Sequence, residues 1–174
     1  MYGEQDSQFV SEVLQVTKNN KGTLLRVDNI FTRCQITYAG NVAWSCLKAK
    51  ERMQEDTSIG GEEFFITDDT PIVDPYDFLK PYLEGQGMKI STYSVPYWLV
   101  MIALMLLVFI VKLIRPIKAI TLPKHMDPKK VQFICKTYFF NRNKAILRLN
   151  YEPFYTAEES QKRALAYYNA LTLK

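Results

Sequence analysis

Apolar residues recur along the first half of the chain with two different spacings. Phe9, Val10, Val13 and Leu14 follow the three-to-four-residue spacing that is typical of one face of a short amphipathic helix. Thr23 to Val27 is a run of β-branched and apolar residues, which is typical of a strand. The elements predicted in this way are a helix at 7–17, a strand at 23–27, an extended segment at 35–38, a helix at 42–54, a buried strand at 63–67 and a helix at 75–84.

Two residues indicate how these helices begin and end. Asn41 has a side-chain oxygen that can accept from a backbone N–H two or three residues later, so it is predicted to cap the helix at 42–54. Pro81 lacks a backbone N–H and clashes with the preceding turn, so it is predicted to kink or shorten the helix at 75–84. The apolar face predicted for the helix at 42–54 consists of Val42, Ala43, Cys46, Leu47 and Met53.

The centre of the chain is a long apolar segment. Residues 90–111 are 22 positions without a formal charge, and a helix that spans a bilayer needs roughly 20. Aromatic residues at one end and basic residues at the other are typical of membrane interfaces. A membrane-embedded helix at 91–116 is therefore predicted, ending at Arg115 and Pro116, with a buried core helix as the alternative. The aromatic residues are Tyr93, Tyr97 and Trp98, and the basic residues are Lys112, Arg115 and Lys118.

The last part of the chain returns to short structural elements. Residues 131–140 indicate extended structure, and residues 141–149 indicate a short helix. Thr156 and Glu159 have the spacing of a capping box, in which each side chain bonds the backbone N–H of the other residue. A final helix is predicted from this box to about Leu171.

Charge is distributed unevenly along the chain. Residues 1–89 carry 9 Lys and Arg against 14 Asp and Glu, whereas residues 112–174 carry 13 against 4. A basic end beside an apolar helix suits anionic lipid headgroups, at about 1 kcal/mol per nearby cation, and a solvated basic face is the alternative of equal weight. Basic residues after Val111 favour a cytoplasmic placement of that end. Nucleic acid is not predicted as a partner, because no recognised binding module accompanies the charge.

Cysteine and histidine usage excludes several kinds of chemistry. Cys34, Cys46 and Cys135 are odd in number, widely spaced and form no C-x-x-C pair, so neither a disulfide framework nor a zinc site is predicted. A reducing environment fits this usage. His125 is the only histidine, so this chain alone cannot build a His-based metal cluster or a Ser-His-Asp triad. The polar residues at 1–4 have no apolar run behind them, so no signal peptide is predicted.

Several motifs lie along nearly the whole chain, and the most specific is Tyr38-Ala-Gly-Asn-Val-Ala-Trp44. It resembles the Tyr-Val-Gly-Asn-Val-Ala-Trp of the 3β-hydroxysteroid dehydrogenase family, whose members are extended short-chain dehydrogenases, and departs from it only at Ala39. Tyr2-Gly3-Glu4 resembles the end of the family's Arg-Pro…Tyr-Gly-Glu motif. The other matches are Phe65 to Pro71, Leu113 to Pro116 after an apolar helix, and Lys144-Ala145 with Leu149 to Pro153, the last occurring across extended short-chain dehydrogenases generally.

The resemblance implies the α/β substrate-side portion of an enzyme that oxidises a steroid 3β-hydroxyl with NAD, some members also moving the ring double bond. It implies endoplasmic reticulum or mitochondrial membranes, with membrane lipid and a steroid or sterol as partners, and it is compatible with a homo-oligomer. The implied parts are the carboxyl-terminal part of the dehydrogenase domain at 1–90, the membrane-embedded helix at 91–116, and a strand and helices at 117–174 that pack back on the domain.

The resemblance also implies roles for four residues. Tyr2 and Gly3 would lie close to the nicotinamide end of the cofactor, and Asn41 and Trp44 would shape the substrate side. In this chain we instead expect Tyr2 and Gly3 to form a disordered terminus, because the strand before them is lacking. Asn41 and Trp44 are expected to be structural, as a helix cap and a packed aromatic residue.

The sequence lacks the motif that holds a dinucleotide. Hydride transfer from a bound cofactor needs a glycine-rich turn that brings a helix N-terminus to the pyrophosphate. The 7 glycines form no G-x-G-x-x-G spacing, and Gly85 and Gly87 lack a third partner. The NAD-binding Rossmann fold is thus incomplete, and this chain alone is expected neither to bind NAD tightly nor to catalyse.

A candidate for the family's catalytic pair is rejected on its context. Tyr76 and Lys80 match Tyr-x-x-x-Lys, in which the lysine lowers the pKa of the phenol. One spacing of two common residues recurs by chance, and in the family the pair lies upstream of Tyr-Gly-Glu rather than downstream. No catalytic residue and no metal ligand is therefore predicted in this chain.

Two other interpretations stay open. The chain is either a noncatalytic, membrane-anchored protein that binds a steroid or a partner, or a sequence whose Met1 is not the true start. Steroid binding without NAD would favour the first. A single span would place residues 1–89 and 131–174 on opposite sides of a membrane, whereas the resemblance requires them to pack together. Insertion from one face, or a short re-entrant helix, is therefore favoured.

Overall fold

The computed structural model describes residues 1–6, 8–28, 32–114 and 127–172. It confirms, within a few residues, the predicted helices at 7–17, 75–84 and 141–149, the strand at 23–27 and the final helix. The predicted end of the central helix at Arg115 and Pro116, and His125, lie outside the described residues. In chain order the elements are α1 Val10–Asn19, β1 Thr23–Asp28, α2 Ala39–Glu55, a 3-10 turn Thr57–Ile59, α3 Pro75–Gly85, β2 Lys89–Pro96, α4 Tyr97–Ile114, α5 Pro128–Ile134, α6 Asn143–Leu149 and α7 Ala157–Ala170.

Strands β1 and β2 pair in parallel as a two-stranded sheet. Thr23 lies opposite Lys89 and Asp28 lies opposite Pro96, with an irregularity between Leu24 and Arg26. The prediction that residues 91–96 belong to the membrane-embedded helix is wrong, because they form most of β2. Their β-branched residues suit a strand once a partner strand is present. The helix begins only at residue 97.

The main core lies between α1, α3 and α7. Tyr82 of α3 meets Tyr168 of α7 edge-on, with ring centroids 5.4 Å apart, and such ring pairs add about 0.5–1.5 kcal/mol to burial. The predicted capping box of Thr156 and Glu159 is confirmed at the start of α7. Buried side chains of these helices are Val10, Leu14, Leu79, Tyr82, Leu83, Ala164 and Tyr168.

Pro81 lies within α3 without shortening it. The helix continues to Gly85, so the alternative that Pro81 shortens it is wrong, and the alternative that Pro81 kinks it stays a prediction. Leu79, Tyr82 and Leu83 are buried on both sides of the proline. Tertiary packing of an apolar face supplies most helix stability in a folded protein, and here it outweighs the lost hydrogen bond.

A second, smaller core contains the motif at Lys144 to Pro153, which resembles one that occurs across extended short-chain dehydrogenases. Ala145, Leu149 and Tyr151 are buried together with Ile59. Asn150 follows α6 with φ 52°, a left-handed conformation that asparagine tolerates. The Tyr151 N–H then donates to the Ala145 carbonyl at 3.3 Å. In this chain the spacing of the motif therefore builds a core rather than a reactive site.

Two predicted extended segments are not strands. Residues 63–67 pair with no strand among the described residues, and their carbonyls accept from side chains instead: Thr37 Oγ1 to Ile66 at 3.3 Å and Lys144 Nζ to Glu63 at 2.9 Å. Within 131–140, residues 131–134 belong to α5 and residues 137–140 are irregular. Both predictions are wrong, because strand composition needs a neighbouring strand to be realised.

Helix α2 buries a different face from the predicted one. Asn41 and Ser45 are buried, whereas Cys46, Leu47 and Met53 are exposed. The predicted apolar face is therefore wrong for this chain. Hydrogen bonds made by Asn41, described below, fix the rotation of the helix.

Helix α4 exposes its apolar side chains. It has 18 residues and no buried position, and its length is about 27 Å. Among the described residues it is the one helix long and apolar enough to cross a membrane. The alternative of a buried core helix is therefore wrong in this chain.

The segments before and after α4 pack into one body. The Tyr168 hydroxyl donates to the Gly3 carbonyl at 2.7 Å, and Thr32 Oγ1 donates to the Cys135 carbonyl at 3.1 Å. Helix α5 packs against α4 itself. The chain thus leaves this body at the end of β2 and returns to it after α4. The three-part division at residues 90 and 116 stays a prediction.

The three thiols differ in accessibility, which predicts their order of alkylation. Cys46 is exposed, whereas burial, reinforced by Asp74, raises the pKa of Cys34 to about 11, and burial raises the pKa of Cys135. Because the thiolate is the nucleophile, iodoacetamide at mildly alkaline pH is expected to label Cys46 about tenfold faster or more. Peptide mass spectrometry measures the labelling rate of each cysteine. In the control, unfolded protein, all three cysteines should be labelled at similar rates. Faster labelling of Cys34 than of Cys46 in the folded chain would contradict the prediction.

Candidate substrate-side site

Tyr2 and Gly3, near the start of the chain, are buried. Tyr2 is 1% exposed. Its N–H donates to the Thr37 carbonyl at 3.0 Å, and its carbonyl accepts from the Ala39 N–H at 2.7 Å. The expectation that Tyr2 and Gly3 form a disordered terminus is wrong, because these bonds attach the segment as a parallel bridge beside Tyr38.

The Tyr2 hydroxyl belongs to a buried polar network. It lies 3.1 Å from Thr70 Oγ1. Burial raises the pKa of Tyr2 and outweighs the opposing hydrogen bond to Thr70, and the negative charge of Asp68 raises it further. The phenol is therefore protonated at neutral pH. In this state it can donate or accept a hydrogen bond, but it cannot act as a base.

Gly3 is required by close packing. Its φ is 138°, and an added Cβ would lie 3.0 Å from the Tyr38 ring. Its carbonyl accepts from Tyr168, and the neighbouring Glu4 carboxylate accepts from the Tyr38 hydroxyl at 2.7 Å. Aromatic side chains thus surround Gly3, and the described residues leave no open cradle there for a cofactor.

Asn41 joins three segments of the chain. Its Nδ2 donates to Asp68 Oδ2 and to the Tyr155 carbonyl, both at 3.0 Å, and its Oδ1 accepts from the Tyr155 N–H at 2.8 Å. The prediction that Asn41 caps the helix is wrong: the N-cap position of α2 is Tyr38. The expectation of a structural role stands, since the side chain is fully buried among these partners.

Asp68 lies at the N-terminus of α2, where it bonds the N-cap residue Tyr38. Its Oδ2 accepts from the Tyr38 N–H at 2.8 Å, and its Oδ1 accepts from the Thr70 N–H at 3.1 Å. A carboxylate at a helix N-terminus is favoured by the free N–H groups and by the helix dipole. One continuous network therefore runs from Tyr2 through Thr70 and Asp68 to Asn41.

Trp44 lies apart from this network. Its Nε1 donates to the Glu152 carbonyl at 3.1 Å, its ring lies 5.1 Å from the exposed Phe154 ring, and Lys48 Nζ is 4.8 Å above it. Trp44 is half-buried against the second core. The structure thus brings Tyr2, Gly3 and Asn41 together and leaves Trp44 beside residues 152–154.

Gly40 leaves room for two aromatic rings at the start of α2. An added Cβ would lie 2.5 Å from the Tyr38 ring and 2.9 Å from the Tyr155 ring, and these rings meet edge-on at 5.5 Å. We expect Gly40→Ala to lower the free energy of unfolding by about 2 kcal/mol through overpacking.

Urea denaturation followed by circular dichroism measures the effect of Gly40→Ala. Gly60→Ala is the matched control, since its added Cβ would meet only the Thr57 carbonyl at 3.3 Å. Equal unfolding free energies for the two variants would contradict the packing role of Gly40.

The structure supports the rejection of Tyr76 and Lys80 as a catalytic pair. The Tyr76 hydroxyl accepts from the Val27 N–H at 2.6 Å, and burial raises its pKa. Lys80 is exposed and its amine pairs with Glu84 at 3.9 Å. The phenol is thus engaged in holding α3 to β1.

The cavity between α2 and α6 does not suit a sterol, and the described residues contain no metal-ligand cluster. A surface cavity of about 410 Å³ between α2 and α6 is lined mainly by charged residues, whereas sites for lipophilic ligands are mostly apolar. No group of three or more His, Cys, Asp or Glu that could hold a metal occurs within the part of the chain that the structure describes.

The structure adds Asp68, Thr70 and Tyr155 to the predicted site residues. The sequence signal for the first two is the Asp68-Asp-Thr-Pro71 turn, in which an aspartate commonly accepts from the backbone two residues later. Tyr155 carries no such signal, because its contacts with Asn41 are made by the backbone. These residues hold the Tyr2 segment in place.

Comparisons with known proteins agree with the motifs. Residues 1–96 match the model of the 3-beta hydroxysteroid dehydrogenase/isomerase family. This match covers more than half of the 174 residues. The chain belongs to this family, and the resemblance deduced from its motifs is confirmed.

Curated proteins similar to this chain are named as sterol or steroid dehydrogenases. The chain is 26% identical to mouse sterol-4-alpha-carboxylate 3-dehydrogenase, decarboxylating, over 98% of its own length and 46% of the relative. It is 31% identical to rat 3 beta-hydroxysteroid dehydrogenase type 7, over 77% of its length and 40% of the relative. The chain thus spans less than half the length of these relatives. No solved structure matches it.

Proposed function

We propose that this chain is the membrane-associated, substrate-side part of an NAD-dependent sterol or steroid 3β-hydroxyl dehydrogenase. The family match over residues 1–96 carries the proposal. The sterol and 3β-hydroxysteroid dehydrogenases among its relatives support it. We assign the oxidation to the complete protein, with Δ5-Δ4 isomerisation as a further activity that some family members combine with it.

The residues of this chain do not form a site for NAD by themselves. A pyrophosphate site needs a glycine-rich turn before a helix, and the sequence contains no G-x-G-x-x-G. In the complete protein, Tyr2 and Gly3 are proposed to support the nicotinamide end of the cofactor site from behind, since the Tyr2 hydroxyl is buried against Thr70 and Gly3 is enclosed by aromatic side chains. Asn41 acts behind them by fixing this segment, and Trp44 lies toward the substrate side.

The proposed membrane association places α4 in the bilayer from one face. Residues before and after α4 belong to one body, while residues 115–126 include the charged Arg115, Lys118 and Lys124. A crossing helix would require this segment to cross back, and charged side chains are costly in the hydrocarbon core. One-face insertion at the endoplasmic reticulum satisfies both conditions.

The mass of the native protein tests this assignment first. An antibody against residues 157–170 should detect a form larger than 20.3 kDa; dividing 20.3 kDa by the 46% of the mouse relative that is covered gives about 44 kDa. The purified larger form is expected to reduce NAD with a 3β-hydroxysteroid and not with the matching 3-ketosteroid. A larger form without this activity would overturn the proposal.

The second candidate function is a noncatalytic, membrane-anchored protein that binds a steroid or a partner. The exposed apolar helix α4 favours a membrane anchor, and the lack of a dinucleotide-binding motif in the sequence favours a noncatalytic role. A native band at 20.3 kDa, together with binding of a fluorescent sterol in the absence of NAD, would select this alternative. Turnover of NAD by the 174-residue chain alone would exclude it.

A further inference from the structure

A stacked pair of exposed aromatic rings, and two further exposed aromatic residues that precede one of them in the chain, lie on the surface of the folded body. Phe65 is 60% exposed and Phe139 is 63% exposed, while Tyr138 and Phe140 are each 39% exposed. The rings of Phe65 and Phe140 stack with centroids 4.8 Å apart. We call this set the aromatic patch. Exposed clusters of large apolar residues mark contact surfaces rather than ordinary solvated surface.

The backbone of the aromatic patch is fixed near the base of α4. The Arg33 N–H donates to Thr137 Oγ1 at 2.9 Å, and the Phe140 N–H donates to Gln35 Oε1 at 2.7 Å. Residues 32–35 follow β1, whose last residue, Asp28, lies opposite Pro96 at the start of α4. Four residues reach at most about 14 Å, so Thr32, which bonds Cys135, lies close to that base.

The composition around the aromatic patch is that of a lipid interface. Arg33, which bonds Thr137, and Lys136, which precedes Thr137, are exposed near the aromatic patch, and Tyr93 and Trp98 are exposed at the base of α4. Aromatic rings and basic side chains together are typical of the headgroup region, where the rings enter the apolar boundary and the cations meet phosphates. A surface beside an inserted helix faces this region.

We propose that the aromatic patch is a second lipid-contact surface, which holds the folded body against the membrane face that α4 enters. The inference rests on the proposed membrane association of α4. If α4 were the single contact with the membrane, the folded body could rotate relative to the membrane about residues 96 and 97. A second contact at the patch fixes its orientation and brings the Tyr2 segment to a constant height above the lipid.

Single tryptophans and brominated lipid test this surface. In the full chain with Trp44→Phe and Trp98→Phe, a tryptophan is placed by Phe139→Trp, by Phe109→Trp in α4, or by Leu147→Trp, which is 81% exposed on α6. The vesicles contain phosphatidylcholine and phosphatidylglycerol, with or without phosphatidylcholine brominated on its acyl chains. Because interfacial side chains lie roughly 5–10 Å into the headgroup and acyl boundary, Trp fluorescence from position 139 is expected to fall about twofold.

The three positions separate the possible failures. Fluorescence from position 109 should be quenched at least as strongly as from position 139, and fluorescence from position 147 should be unchanged. Quenching at 109 without quenching at 139 overturns the patch and indicates that another protein surface covers it. No quenching at 109 overturns the membrane association itself. Equal quenching at 139 and 147 also overturns the proposal that the aromatic patch contacts lipid. The variant Phe65→Trp is expected to behave like Phe139→Trp, and it controls for a local folding defect at position 139.

Discussion

Replacing Leu106 and Phe109 together by lysine is expected to release the chain from membranes. Both side chains are more than half exposed on α4, at 57% and 59%. Each lysine near the centre of an inserted helix costs roughly 2.5–3.5 kcal/mol. The pair therefore opposes insertion by roughly 5–7 kcal/mol, a factor of at least about a thousand in partitioning. Flotation with lipid vesicles measures the bound fraction.

The matched control for this pair is Leu47→Lys with Met53→Lys on α2. These side chains are also about half exposed, at 53% and 48%, and the change adds the same charge. The control chain is expected to float with the vesicles as the unchanged chain does. Because α4 has no buried residue, circular dichroism of the rest of the fold should be the same for both pairs. Vesicle binding by the α4 variant, or its loss in the control, would contradict membrane insertion through α4.

Local sequence signals predicted the elements whose contacts are local. The apolar spacing of α1 and the capping box of Thr156 and Glu159 require only neighbouring residues, and the structure confirms both. The central apolar helix was also predicted, because its signal is the composition of one continuous segment. Its start was placed six residues early, because β2 forms only by pairing with β1 across more than sixty residues of chain.

The candidate site shows where local signals fail. The Tyr-Ala-Gly-Asn-Val-Ala-Trp motif identified Gly40 and Asn41 as special, and the structure supplies the reasons: two rings over Gly40, and three partners around Asn41. The partners come from Asp68 and Tyr155, which are 27 and 114 residues away. An asparagine near a helix start predicts a cap from local geometry alone. Only the fold shows that the helix is oriented by distant partners.

Asn41→Ala is expected to lower the free energy of unfolding by about 3 kcal/mol. The substitution removes three hydrogen bonds from a fully buried site. It leaves the Asp68 carboxylate and both backbone groups of Tyr155, which are partly buried, with fewer partners. Urea denaturation in detergent, followed by circular dichroism, measures the loss, since α4 contributes equally to both chains.

A double-mutant cycle distinguishes this network from a general packing defect. Asn41 and Asp68 share a hydrogen bond of 3.0 Å, so Asn41→Ala with Asp68→Ala should cost less than the sum of the single changes, by about 1 kcal/mol or more. Gln54→Ala, exposed on the same helix, should change the free energy by less than about 0.5 kcal/mol. Additive effects at positions 41 and 68 would mean that the two residues act separately, and Asn41 would then not be the residue through which α2 fixes the Tyr2 segment.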